Sequence, residues 1–177
     1  EVSDVAQAVF EGADAVMLSA ESASGAYPEA AVAMMDRIAS SVETDPLYRQ
    51  IIEGQRNDPE PTVPGAIMAA VHAVTDTIEA RGILCWTTTG VTAFRAARER
   101  PRAPIIVATP SVQTARRMAL VWGAHAVVVP DITSVDEMVD QACAIAMSEG
   151  FADIGEHIVI TAGIPFGRSG GTNLLRV

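Results

Sequence analysis

The stretch ILCWTTTGVTAFRAARERPRAPIIVAT, residues 83–109, joins an apolar run, a glycine turn, a segment with helical spacing and a second apolar run. The two runs, Ile83–Thr87 and Ile105–Thr109, are short and apolar throughout, as in strands buried on both faces. The arginine-rich segment between them follows Gly90 and predicts a helix. The stretch therefore predicts a strand–helix–strand unit of a parallel sheet.

The same alternation continues on both sides of this stretch, from Pro64 to Val177. A helix with an apolar stripe is predicted before it, and a helix, a strand, a second helix and a further strand are predicted after it. The signals are an N-cap at Ser111, a strand ending at Val129, a capping box at Ser134 and Glu137, and a strand at His157–Thr161.

The end of the chain follows a different pattern. About ten residues, four of them glycines, separate Thr161 from the apolar run TNLLRV. A helical crossover between parallel strands requires a longer connection. We therefore expect the last strand to return antiparallel at an edge. The predicted fold is α/β, an open and mostly parallel five-stranded sheet with helices on both faces and an antiparallel last strand.

Residues 1–54 predict a separate part of the chain. A helix ends near Gly12, a short buried strand follows at Ala13–Leu18, and after a small-residue loop Pro28 begins a longer helix. Because the helical pattern is already present at the first residue, we expect the sequence to start inside a helix. Residues 55–63 are rich in proline and predict a linker, so that residues 64–177 form the α/β domain.

Composition limits the classes of function. The 177 residues carry a net charge of −10, which disfavours nucleic acid and anionic membrane surfaces as partners. No apolar run reaches the ~20 residues of a membrane span, and no signal peptide is evident. The cysteines, Cys85 and Cys143, lack the spacing of a metal site or disulfide framework, which is typical of a cytoplasmic protein.

The turn after the first predicted strand of the α/β domain is a candidate anion site. In a parallel sheet, ligands bind beyond the carboxyl ends of the strands, where helices present free N–H groups. Hydroxyl and amide donors here favour a phosphate, and they belong to Thr87, Thr89, Gly90 and Thr92. A second candidate is the glycine-rich segment before the last strand, with Gly167, Arg168, Gly170 and Gly171. Both elements follow strand ends, so they are expected to face one ligand.

Other interpretations of these residues remain open. The threonines could be helix caps, the glycines a tight hairpin, and the α/β domain an assembly module that binds no small molecule. Arg95, Arg98 and Arg102 are typical of residues paired with surplus carboxylates. Glu21 is the only carboxylate placed for chemistry, and a solvated loop acid is the simpler interpretation. Spacing indicates no metal cluster and no hydrolase triad.

Three motifs resemble the pyruvate kinase family. The segment EVSDVAQAVFEGADAVMLSAESASGAYPEAAVAMM is similar to the last strand–loop–helix unit of its barrel. The segment from Trp86 to Gly123 is similar to its carboxyl-terminal domain, with the Thr-x-Ser-Gly-x-Thr-Ala loop and the Gln-Thr-Ala-Arg helix. The ending AGIPFGRSGGTNLLRV is similar to its Gly-x-Pro-x-Gly-x-x-Gly-x-Thr-Asn finish. The resemblance extends over essentially the whole chain.

The resemblance implies a function and a division of the chain. Pyruvate kinases transfer a phosphoryl group between phosphoenolpyruvate and ADP with Mg²⁺ and usually K⁺, at the carboxyl end of a TIM barrel. Residues 1–54 would be a remnant of that barrel, and residues 64–177 the regulatory domain that binds a phosphorylated effector and builds a homotetramer. The family's lysine and metal ligands lie on earlier barrel strands, so we expect this chain to be inactive alone and to bind no metal. The effector residues implied are the eight threonine, glycine and arginine positions named above.

Three departures from the family pattern bear on the ligand. Val91 stands where arginine or lysine is common, so the effector loop lacks a positive charge. Ser24 and Ala20 replace the basic residue and the glycine of the barrel loop. We therefore expect a sugar monophosphate or a nucleoside monophosphate as effector in preference to a bisphosphate.

Overall fold

The structure is a computed structural model that describes residues 2–56, 58–166 and 171–177. The chain divides into two compact units, residues 1–57 and 58–177. No helix in the described ranges is long and apolar enough to cross a membrane.

The described residues of the smaller unit, 2–56, form four helices. They are α1 (Val2–Phe10), α2 (Ala20–Ala23), α3 (Pro28–Glu43) and α4 (Pro46–Gly54). Pro28 occupies the first turn of α3 as predicted, and Asp45 caps α4 by accepting from the Leu47 amide at 2.8 Å. The core of this unit is Val9, Val42, Tyr48 and Ile52.

The predicted buried strand at Ala13–Leu18 is wrong. The segment has no regular structure, and the side chain of Met17 is 87% exposed. A strand requires a neighbour that accepts its ladder hydrogen bonds. The described residues of the smaller unit contain no strand that could pair with this segment, so the apolar run forms no ladder.

The larger unit follows the predicted alternation. Its elements are α5 (Val63–Thr77), β1 (Ile83–Trp86), α6 (Val91–Arg98), β2 (Ile105–Thr109), α7 (Val112–Met118), β3 (Ala124–Val128), α8 (Val135–Ser148), β4 (Val159–Gly163) and β5 (Thr172–Arg176). The strands form one sheet in the order β3-β2-β1-β4-β5. β1, β2, β3 and β4 are parallel and β5 pairs antiparallel with β4, which confirms the predicted fold class.

The caps of α7 and α8 are those expected from the sequence. Ser111 Oγ accepts from the Thr114 amide at 3.2 Å, and Ser134 Oγ accepts from the Glu137 amide at 3.1 Å. In the predicted capping box, Glu137 turns back to the amide of Thr133 at 2.9 Å and not to that of Ser134.

Alternate residues of each strand enter two separate cores. Ile83 and Cys85 of β1 pack with α5, α6 and α7 on one face of the sheet. Leu84 and Trp86 pack with α8 on the other face. The sheet is therefore covered on both faces, which is why its central strands are apolar throughout.

Candidate functional site

The strand order creates a crevice between β1 and β4. From β1 the chain continues to β2 and β3 on one side, whereas β4 lies on the other side. In open α/β sheets, ligands bind beyond the carboxyl ends of the strands where the order reverses in this way. β1 ends at Trp86 and β4 ends at Gly163, so this position is where both predicted ligand segments begin.

A cavity of about 50 Å³ lies at that position. By this measure of volume it holds roughly four water molecules, or one group of phosphate size. Its lining comes from the ends of β1, β2 and β4, the start of β5 and the segment after β3: Trp86, Thr87, Thr88, Thr89, Thr92, Pro110, Asp131, Ile132, Ala162, Gly163, Phe166, Gly171 and Thr172. We call this cavity the threonine pocket.

The structure brings four of the predicted site residues into this pocket. Thr87, Thr89 and Thr92 line it from the turn and the start of α6, and Gly171 lines it from the segment before β5. The two predicted segments therefore meet at one cavity. The predictions for Gly167, Arg168 and Gly170 concern positions outside the described residues.

Gly90 shapes the turn between β1 and α6 but does not line the pocket. Its backbone has φ +88°, and its N–H donates to Thr87 Oγ1 at 2.9 Å. A Cβ atom at this position would lie 2.7 Å from the Met118 methyl carbon. The positive φ therefore favours glycine at this position, and Thr87 closes the turn while its hydroxyl hydrogen is still free to donate.

Thr92 connects the start of α6 to β5. Its hydroxyl lies 2.9 Å from the hydroxyl of Thr172, and both side chains are buried. The turn is also tied to α7, because Thr114 Oγ1 donates to the Thr88 carbonyl at 2.8 Å. These bonds fix the wall of the pocket before any ligand binds.

The first turn of α6 supplies further donors. The amides of the first residues of a helix have no carbonyl partner within that helix, and the helix dipole adds a partial positive charge. Thr89 is exposed beside these amides. Together the amides and hydroxyls form a set of donors suited to phosphate oxygens.

Asp131 is the only charged side chain among the described residues that line the pocket. The arginines of α6 are engaged elsewhere: Arg98 Nη1 lies 2.7 Å and Arg95 Nε 3.7 Å from the carboxylate of Glu60. Arg102 Nε lies 3.8 Å from Asp76. The described lining thus offers neutral donors and one carboxylate, and no cation.

Glu21, the other candidate residue, lies in the smaller unit and is exposed to solvent. Its carboxylate accepts from the Ser19 amide at 3.0 Å, and hydrogen bonds from the backbone amides of Glu21 and Ser19 lower the pKa of the side chain. The group is fully exposed. It is a solvated acid, as in the simpler interpretation, although it lies in α2 and not in a loop.

Sequence reasoning missed Trp86, Asp131, Phe166 and Thr172 as lining residues. Asp131 follows β3 after Pro130, so the rule that ligands bind at strand carboxyl ends would have selected it. Thr172 is adjacent to the predicted Gly171. Trp86 looked like an ordinary apolar strand residue, and no local signal distinguished it.

Comparison with known sequences assigns both parts of the chain. Residues 65–177 match the family profile "Pyruvate kinase, alpha/beta domain", and residues 1–32 match "Pyruvate kinase, barrel domain". The chain belongs to the pyruvate kinase family. This result confirms the resemblance derived from the sequence motifs.

Individual pyruvate kinases match along the whole chain. The identity is 50% to the pyruvate kinase of Methylorubrum extorquens, 42% to one from Agrobacterium vitis and 40% to that of Geobacillus stearothermophilus, each over all 177 residues. The chain spans 37%, 37% and 30% of those three proteins respectively. It therefore corresponds to about a third of the length of these relatives.

Proposed function

We propose that this chain is the carboxyl-terminal part of a pyruvate kinase, an enzyme that transfers a phosphoryl group between phosphoenolpyruvate and ADP and produces pyruvate and ATP in glycolysis. The match of the whole chain to pyruvate kinases supports this proposal. Within that enzyme, the larger unit would be the regulatory domain and residues 1–54 a remnant of the barrel. The two unpaired cysteines fit a cytoplasmic location.

The regulatory role proposed for the larger unit is to bind a phosphorylated effector in the threonine pocket. The observation that carries this proposal is that Thr87, Thr89, Thr92 and Gly171 line a single cavity at the end of β1 and β4. Hydroxyls and first-turn amides would donate to the phosphate oxygens, assisted by the dipole of α6. Gly167, Arg168 and Gly170 remain predicted ligand residues.

A monophosphate fits the electrostatics of the described lining better than a bisphosphate. Val91 supplies no positive charge at the start of α6, and the carboxylate of Asp131, which lines the pocket itself, opposes each additional negative charge on the ligand. The effector would therefore be a sugar monophosphate or a nucleoside monophosphate.

For the described residues we propose neither a catalytic nor a metal-binding role. They contain no group of three or more His, Cys, Asp or Glu side chains that could hold a metal ion. Mg²⁺ and K⁺, together with phosphoenolpyruvate and ADP, would be bound by other parts of the full enzyme. No step proposed for this chain depends on a metal.

Calorimetric titration of the 177-residue chain tests the effector site. We expect ribose 5-phosphate or AMP to bind more tightly than fructose 1,6-bisphosphate. Thr89→Val should weaken monophosphate binding roughly tenfold, because a charge-assisted hydrogen bond is lost. Thr77→Val is a matched control, since Thr77 is exposed on α5 outside the pocket and should leave the affinity unchanged. Tighter binding of the bisphosphate would contradict the preference, and absence of binding by all three would contradict the site.

The second proposed role is assembly of a homotetramer in the full enzyme. Edge strand β5 has one pairing partner, β4, among the described strands, and Val63 and Val177 are 65% and 54% exposed. Such edges and exposed apolar residues are typical of interaction surfaces. If the larger unit is only an assembly module, light scattering will show association while calorimetry shows no effector binding.

A further inference from the structure

We propose that the larger unit binds a free α-amino acid with an uncharged side chain at a second site, at the end of the sheet opposite to the threonine pocket. The site is a cavity of about 540 Å³ at the amino ends of β1 and β2, which we call the amino-end cavity. It shares no lining residue with the threonine pocket, so the inference does not rest on the proposed effector site.

Three segments of the chain form the amino-end cavity. Thr75 and Asp76 belong to the last turn of α5, residues 79–81 connect α5 to β1, and residues 102–104 precede β2. The volume of the cavity lies within the range of about 300–1,000 Å³ that is typical of small-molecule sites. The cavity therefore has room for an amino acid.

Two buried oxygen atoms at this cavity have no hydrogen-bond partner among the described residues. They are Oγ1 of Thr75, which is 2% exposed, and Oδ1 of Asp76. A buried polar atom without a partner destabilises the folded state. The carboxylate oxygen only accepts hydrogen bonds, and the hydroxyl oxygen accepts them as well. A ligand that brings N–H donors to the cavity would satisfy both atoms.

The charges around these oxygens favour an ammonium group as the donor. Oδ2 of Asp76 lies 3.8 Å from Arg102 Nε and 3.7 Å from His72 Nε2, so the carboxylate is held in place. Glu79 adds a second carboxylate to the lining. The last turn of α5 contains no basic residue, and the carboxyl end of a helix carries a partial negative charge. An ammonium group supplies three N–H donors and is stabilised by these negative charges.

Arg81 and Arg102 place positive charge on the same cavity. Their side chains are 58% and 62% exposed, and Arg81 Nε lies 3.2 Å from Glu156 Oε1. A guanidinium group has five N–H donors, so each arginine can contact a ligand carboxylate in addition to its ion pair. These two arginines therefore provide the anion-binding side of the site.

The combination of charges selects a ligand that carries both signs. A cation alone would be repelled by the two arginines, and an anion alone would be repelled by Asp76 and Glu79. The ammonium and carboxylate groups of an α-amino acid pair with both sides. A charged side chain would add a charge without a counterpart, whereas Ala80, Ala103 and Pro104 offer apolar contacts to an uncharged one.

Calorimetric titration of the 177-residue chain with L-leucine tests the inference. N-acetyl-L-leucine lacks the ammonium charge, and L-leucinamide lacks the carboxylate. We expect each of them to bind at least about tenfold more weakly than L-leucine, because each loses a charge-assisted hydrogen bond. L-glutamate and L-lysine should also bind more weakly than L-leucine.

Thr75→Val removes the buried hydroxyl and keeps the shape of the side chain. The variant should bind L-leucine roughly tenfold more weakly. Its stability in urea should be unchanged or higher, because the hydroxyl has no partner among the described residues, whereas a structural role would make the variant less stable. Thr77→Val is the matched control, since Thr77 lies outside the cavity and its hydroxyl donates to the Ala73 carbonyl at 2.7 Å. It should leave the affinity unchanged.

Arg102→Gln tests the contact with the ligand carboxylate. This variant should bind L-leucine about tenfold more weakly, and it should not weaken the binding of L-leucinamide, which has no carboxylate to lose. Arg116→Gln is the control, because Arg116 is exposed on α7 outside the cavity. It should change neither affinity.

Amide chemical shifts of the ¹⁵N-labelled chain locate the bound L-leucine. Saturable shifts are expected at Asp76, Ala80 and Arg81, and none at residues 87–92. If L-leucinamide, N-acetyl-L-leucine, L-glutamate or L-lysine binds as tightly as L-leucine, the assignment to an amino acid with an uncharged side chain is overturned. If L-leucine fails to bind a chain that is folded by circular dichroism, or shifts only residues 87–92, the site itself is overturned. None of these results bears on phosphate binding in the threonine pocket, which AMP and ribose 5-phosphate test separately.

Discussion

Gly90 shows how one backbone angle sets the geometry of the proposed phosphate turn. The sequence marked it as a turn residue because of its neighbours, and the structure gives the physical reason, which is a φ of +88°. Residues with a Cβ atom adopt such angles at a cost. The contribution of Gly90 is therefore to the shape of the turn, while Thr87, Thr89 and Thr92 supply the side chains.

Gly90→Ala should destabilise the larger unit by about 1–2 kcal/mol, because alanine is strained in the left-handed region. The contact of 2.7 Å with the Met118 methyl carbon adds little, since that group is the flexible end of its side chain. Gly54→Ala is the control: Gly54 lies in α4 with open space around it and should be neutral or slightly stabilising. Urea unfolding measures both. Equal stability of Gly90→Ala and the unchanged chain would contradict the role of the backbone angle.

The Thr92–Thr172 hydrogen bond is predicted to behave as a coupled pair. Each single change to valine leaves the other hydroxyl buried without its partner and should cost about 1–3 kcal/mol. The double change removes both hydroxyls and should cost less than the sum of the two. A double-mutant cycle by urea unfolding gives the coupling energy. Strict additivity would show that the two hydroxyls do not interact.

At the scale of elements, α8 alone covers its face of the sheet among the described helices. Met138 and Ala142 of this helix are fully buried, whereas three helices share the opposite face. The stability of the α8 face therefore depends on a few side chains from one element.

Met138→Ala should destabilise the larger unit by about 2–5 kcal/mol, because it opens a cavity beneath α8. Met147→Ala is the matched control on the same helix, since Met147 is 48% exposed and its loss should change stability by less than about 0.5 kcal/mol. Thermal unfolding followed by circular dichroism compares the two variants. Similar losses from both variants would contradict the burial of Met138 between α8 and the sheet.

The sequence predicted which helices and strands of the larger unit form more accurately than it predicted where they begin and end. β2 has the predicted bounds, while β4 begins at Val159 and not at His157. Pairing with a neighbouring strand determines where a strand begins. Val159 lies opposite Ile83, the first residue of β1, and is therefore the first residue of β4. Pairing also explains the wrong strand at Ala13–Leu18: an apolar run predicts burial, but only a neighbouring strand produces a ladder.

At the scale of the whole molecule, the class of the fold was predictable and the strand order was not. Ten residues before the run TNLLRV sufficed to predict an antiparallel return. The adjacency of β1 and β4 depends on pairing between distant segments, which no local pattern encodes. This adjacency brings Gly163 and Phe166, at and after the end of β4, to the pocket at the end of β1.

The pH dependence of global stability follows from Cys85. Burial raises the pKa of this thiol to about 12 in the folded chain, whereas its ordinary value is 9.0. Between these values the unfolded chain releases a proton that the folded chain retains, so stability falls as pH rises, by up to about 1.4 kcal/mol per pH unit. The sequence contains no lysine, which reduces competing titrations in this range.

Urea unfolding at pH 8, 9, 10 and 11 measures this slope. Cys85→Ala should reduce the slope above pH 9, whatever its effect on stability at pH 8. Cys143→Ala should keep it, because Cys143 is exposed. A slope that survives in Cys85→Ala would assign the alkaline loss of stability to other groups.

The proposed regulatory role of the larger unit depends on binding of a phosphorylated small molecule in the threonine pocket. The most direct measurement is a titration of the ¹⁵N-labelled chain with AMP, followed through amide chemical shifts. We predict saturable shifts at residues 87–92 and at Gly171 and Thr172, with no shift at Arg81 and Gly82 before β1. Absence of saturable shifts at residues 87–92, or shifts confined to the amino ends of the strands, would contradict it.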